Sequence, residues 1–98
     1  MCAMSERTAA SLTQIDALLA ALRAQPETAD RDSMIMQAEA LHRAVGSFHM
    51  EAIRFRIYSV ERQITASGSA DLAAKFEAVR QALEAAGFHT RSHAAPGT

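Results

Sequence analysis

The residues best spaced to do chemistry in this chain are His42 and Gly46, at positions i and i+4. On a helix that spacing is one turn, so the imidazole stands beside backbone that carries no side chain. A neutral imidazole nitrogen is a competent nucleophile near neutral pH. Bare backbone beside it leaves space for a second macromolecule to present an electrophile. On a wheel of about 100° per residue, His42 lies about 80° from the stripe centred on Met34 and Val45, at the edge of the face that must be buried. A glycine within a helical pattern costs about 0.5–1 kcal/mol relative to alanine, so Gly46 needs a reason; close helix packing is the ordinary one.

A second constellation is metal-like. Glu39-x-x-His42 has the spacing by which helical bundles hold di-iron centres, and His49 follows two turns later on the same side. Such a centre also needs inward-facing carboxylates from other helices. Asp16, Glu77 and Glu84 lie about 100–140° off the apolar stripes of their segments, so one chain does not complete the set. No cofactor is therefore expected, and a metal held by Glu39, His42 and His49 is the weaker alternative. His89-x-x-x-His93 has two-ligand spacing but follows Gly87 into a tail-like stretch. Cys2, near the terminus and without a histidine partner in sequence, reads as an inert thiol. Met34, Met36 and Met50 read as core filler.

The elements that must position His42 are helical. Alanine is abundant, β-branched runs are few, and proline occurs only at positions 26 and 96. From about Ala9 to Ala24, Leu12, Ile15, Leu18, Leu19 and Leu22 fall on a single helical face. Gln25-Pro26 ends that helix, and Thr28 or Asp30 caps the next. Between Asp32 and Thr65, Met34, Ala38, Leu41, Val45, Phe48 and Ala52 form one stripe. Ile53, Ile57, Val60 and Ile64 form another, rotated by roughly 110°. A straight helix cannot hold one core face through that change of phase, so a break between Gly46 and Ala52 is expected. Ser67-Gly68-Ser69 marks the next stop. Leu72, Phe76, Val79, Leu83 and Ala86 then mark a last helix, which Gly87 closes. The expected architecture is all-α, a small antiparallel four-helix bundle over residues 9–87, with a flexible N-terminus (1–8) and tail (88–98). Its alternative is three helices with a long central one, dimerising into a bundle.

Composition bounds the function. The 98 residues allow one domain. Ten basic against eleven acidic residues, net charge −1, leave no excess positive charge for a phosphate backbone, which argues against nucleic acid. Arg43, Arg54, Arg56 and Arg62 spread around their helical wheel instead of clustering. No apolar run approaches the eighteen or so residues of a membrane span. The N-terminal residues lack the apolar core of an export signal, and a lone cysteine fits a reducing compartment, so a cytoplasmic location is expected.

Ala38-Glu39-Ala40-Leu41-His42-Arg43-Ala44-Val45-Gly46-Ser47 resembles the histidine phosphotransfer (HPt) family. That family's signature is a helix-borne histidine, then lysine and glycine at the third and fourth following positions, then a small residue. His42, Gly46 and Ser47 match, Leu41 and Ala44 match the flanking apolar positions, and Val45 stands where the family has lysine. With its order of segments, the likeness spans roughly residues 12–86. It implies a bundle in which His42 accepts a phosphoryl group from a response-regulator receiver domain or a histidine kinase. The protein would be a relay intermediate in two-component signalling and not a turnover enzyme. Gly46 would give clearance and Arg43 a nearby charge, while magnesium and most electrostatic stabilisation would come from the partner. Glu39, at i−3, would repel a phosphorylated His42.

Phe55 and Tyr58 support a different reading. They lie roughly 130–170° from the stripe of Ile53, Ile57 and Ile64, so two aromatics leave the intrachain core. Aromatics on an outer helix face mark a partner surface. The alternative function is thus a non-catalytic helical homodimer, an interaction or scaffold protein that associates through Phe55 and Tyr58.

Overall fold

The computed structural model describes the backbone of residues 3–88 and the side chains of residues 8–88. Among the described residues four helices follow one another: α1 (Ala3–Arg23), α2 (Ala29–Gly46), α3 (Met50–Ser67) and α4 (Ala70–Ala85). Helix α1 packs on both α2 and α4, and α2 packs on α3, while the α3–α4 seam is the most sparsely packed. The result is a small antiparallel four-helix bundle. No long central helix forms. Among the described residues no helix is long and apolar enough to cross a membrane.

The core is built from the stripes the periodicity marks. Ile15, Leu18 and Leu22 of α1, Ala38, Leu41 and Val45 of α2, Ile53, Ile57, Val60 and Ile64 of α3 and Leu72, Phe76, Val79 and Leu83 of α4 are all buried in one cluster. The stripe of α3 is covered chiefly by α2 and that of α4 chiefly by α1. Leu12, Ala52 and Ala86 are only half-buried at its margin. Helix α1 begins at Ala3, earlier than the expected boundary near Ala9. Residues 5–10 contain no helix breaker, and the apolar pattern marks only the turns that reach the core.

Each corner has a local cause. Before α2, the Thr28 hydroxyl accepts a hydrogen bond from the Arg31 backbone N–H at 3.0 Å, and Asp30 and Asp32 lie in the positive first turn. The Arg31 guanidinium donates back to the carbonyls of Arg23 and Gln25 at 3.2 and 3.3 Å, satisfying groups that the end of α1 leaves open. At α4 the cap is Ser69, whose hydroxyl accepts from the Leu72 N–H at 3.1 Å. The buried Arg80 guanidinium of α4 reaches Glu61 of α3 at 3.0 Å across the sparse seam.

The α2–α3 corner explains the rotated stripes. The Phe48 N–H donates to the Val45 carbonyl and the His49 N–H to the Ala44 carbonyl, both at 3.1 Å, which is a Schellman ending. Its left-handed position, normally glycine, is held by Phe48 at φ 61°. Phe48 is therefore turned out of the α2 stripe and is 43% exposed, contrary to the single face expected from Met34 to Ala52. The end of α4 repeats the motif in ordinary form. Gly87 takes φ 100°, and the Phe88 N–H donates to the Leu83 carbonyl at 2.9 Å. That hydrogen bond folds Phe88 back onto the bundle, where it is 5% exposed with its ring centroid 5.5 Å from that of Phe48. Phe88 thus belongs to the core and not to a tail. Residues 89–98 lie outside the described chain.

Candidate functional site

His42 sits on the edge of α2 that faces α1. The stripe of Ala38, Leu41 and Val45 turns inward, leaving Glu39, His42 and Arg43 along one margin. Opposite them α1 presents Asp16 and Arg23 on either side of the buried Leu19. These residues line one shallow, open depression. His42 Nε2 lies 3.2 Å from Asp16 Oδ1, and the Arg23 guanidinium donates to Glu39 Oε2 at 3.0 Å. The His42 side chain is 36% exposed and that of Asp16 65%. The ring is therefore held at one nitrogen yet open to solvent.

Gly46 lies one turn beyond the ring at the last position of α2. Neither ordinary explanation for a glycine applies to it. Its φ is not among the positive values, and a Cβ built there would meet nothing within 4 Å. Close helix packing, the reason expected from the sequence, is absent. The left-handed turn that α2 needs is made two residues later by Phe48.

The remaining candidates separate. Val45 is fully buried, so the position where the family carries lysine faces the core here and presents nothing to His42. Ser47 is the exposed C-cap of α2, its N–H donating to the Arg43 carbonyl at 3.0 Å. Arg43 is exposed and lines the depression. Glu39 is paired by Arg23, which offsets the repulsion toward a phosphorylated ring expected from sequence spacing alone. His49 is the N-cap residue of α3 and does not line the depression, so it is not gathered with Glu39 and His42. Among the described residues, no group of three or more metal-ligating side chains comes together. Phe55 and Tyr58 lie on the outer face of α3, 58% and 48% exposed. Cys2, His89 and His93 fall outside the residues whose side chains are described.

Asp16 and Arg23 are the site residues that motif reading missed. Their spacing of i, i+7 puts them on one margin of α1, and antiparallel pairing of α1 with α2 is what brings them to His42 and Glu39. That signal exists only once the two helices are paired. Comparison with protein-family models, curated proteins and solved structures finds no match to this chain.

Proposed function

We propose that the protein is an HPt-like relay module in which His42 accepts a phosphoryl group from the aspartyl phosphate of a receiver domain. Gly46 carries this reading. It is a helical glycine that neither backbone conformation nor packing requires, one turn from a half-exposed imidazole. A Cβ there would meet nothing within 4 Å, and its absence keeps the surface one turn beyond His42 clear for a docking partner.

In the proposed step a lone pair on an imidazole nitrogen attacks phosphorus in line. The N–P bond forms as the acyl-phosphate O–P bond breaks, and the receiver's carboxylate leaves with the electron pair. Asp16, 3.2 Å from Nε2, orients the ring and stabilises the positive charge that grows on it. Arg43 lines the same depression and supplies positive charge that the family draws from lysine, while Arg23 is engaged by Glu39. The divalent metal belongs to the receiver. A protein with this role works in the cytoplasm, beside receiver domains and histidine kinases, and passes the group on without turnover of its own.

The test is incubation with a receiver domain carrying radiolabelled phosphate. Wild type should take up an acid-labile, base-stable label, as a phosphoramidate must, and His42→Ala should take up none. Labelling of neither protein, or equal labelling of both, removes the proposal.

A further inference from the structure

The outer face of α3 carries a pattern that a second copy of the same helix completes. Glu51, Phe55, Tyr58 and Arg62 recur at i, i+4, i+7 and i+11, opposite the buried stripe of Ile53, Ile57, Val60 and Ile64. All four are exposed. Phe55 and Tyr58 are among the few large exposed hydrophobics, and the Arg62 guanidinium lies over the Tyr58 ring at 5.7 Å. The stripe has a negative end at Glu51, two aromatics in the middle and a positive end at Arg62.

That order is self-complementary in one arrangement only. Glu51 and Arg62 share a midpoint with Phe55 and Tyr58, between Arg56 and Ile57. A two-fold axis at that point, with two α3 helices running antiparallel, sets Phe55 against the Tyr58 of the second copy, and Glu51 against its Arg62, at both ends at once. A parallel pairing would put Glu51 on Glu51 and Arg62 on Arg62.

We infer that the protein forms a two-fold homodimer through antiparallel pairing of α3, in the register that joins Phe55 to Tyr58 and Glu51 to Arg62. The contact is about 16 Å long, the eleven residue steps from Glu51 to Arg62 at about 1.5 Å each, and one helix wide. It falls short of the roughly 800 Å² per partner of a stable interface, so the dimer is weak and forms with rising concentration. It leaves His42 open. His42 lies on the α1 edge of α2, whereas the other edge meets α3 through Gln37–Arg56 and Ser33–Gln63 hydrogen bonds of 2.9 and 2.7 Å.

Sedimentation equilibrium of the full chain, from micromolar to millimolar, tests this. Wild type should rise from 10.6 kDa toward twice that mass. Glu51→Arg and Arg62→Glu should each weaken association by at least about tenfold, because each sets like charges against each other. The double swap Glu51→Arg/Arg62→Glu should restore it, since the order is then inverted but still complementary. Far-UV circular dichroism checks that the surface variants stay folded. A wild type that remains at 10.6 kDa throughout overturns the inference. So do single swaps that associate like wild type, or a double swap that fails to recover.

Discussion

Gly46 gives the sharpest test, because the two explanations of a helical glycine predict opposite signs. If packing or a special backbone angle demanded it, any side chain would destabilise the fold. Here its φ is not positive and the space beyond its Cα is empty to 4 Å. Gly46→Ala should therefore stabilise by about 0.5–1 kcal/mol, by helix propensity and by restricting the unfolded chain. In a domain of this size that corresponds to a melting temperature about 2–8 °C higher. Gly46→Gln should be no less stable than wild type, yet its side chain would occupy the approach to His42. Ordering it away from a docking receiver costs about 1.5–2 kcal/mol of rotamer entropy. Transfer from a phosphorylated receiver should then fall roughly ten- to thirty-fold. Urea and thermal unfolding read the first effect, and single-turnover labelling of His42 reads the second. A less stable Gly46→Ala would show that the fold needs the glycine, and the argument for clearance would collapse. Undiminished transfer in Gly46→Gln would show that the open space does not serve His42.

Val45→Lys, which restores the family's lysine, should disrupt the fold instead of improving transfer. Val45 is fully buried, and an unpaired charge there costs several kcal/mol, visible as loss of a cooperative melting transition. At position 48 the usual ranking of glycine and alanine should invert. Both lose the contact with the Phe88 ring, but only glycine escapes the 1–2 kcal/mol of the left-handed angle, so Phe48→Gly should exceed Phe48→Ala by about 1 kcal/mol in urea unfolding. Glu61→Gln leaves the buried Arg80 guanidinium without its ion pair to Glu61, and should cost about 1–2 kcal/mol given the partial exposure of the carboxylate. Chemical denaturation reads that loss, and no effect would mean that the pair contributes nothing to the α3–α4 seam.

The helices and their core faces were legible because each stripe keeps one phase over several turns, and Pro26, Gly68 and Gly87 punctuate them. The break after Gly46 was legible through the rotated stripe and through Gly46-Ser47, which weakens a helix. The residue that makes the turn is Phe48, and nothing in its side chain signals a left-handed angle. Phe88 was misplaced in the tail because the feature that returns it to the core is a pair of backbone hydrogen bonds around Gly87. Of the site, His42 and Gly46 stood out by spacing within one helix. Asp16 and Arg23 did not, since their relation to His42 exists across two helices. Val45 illustrates the converse: a motif aligned by spacing puts it beside the histidine, while its side chain serves the core.

The seam between the first and last helices has a consequence for how the chain is made. Because α4 docks chiefly on α1 and only sparsely on α3, α1 must wait for the later-synthesised α4 to complete its cover. While residues up to Ser67 have emerged from the ribosome, Ile15, Leu18 and Leu22 lack part of their apolar cover. Closure comes only when Leu83 and Phe88 clear the exit tunnel, so nascent chains stalled before that point should be the ones that chaperones hold and proteases cut.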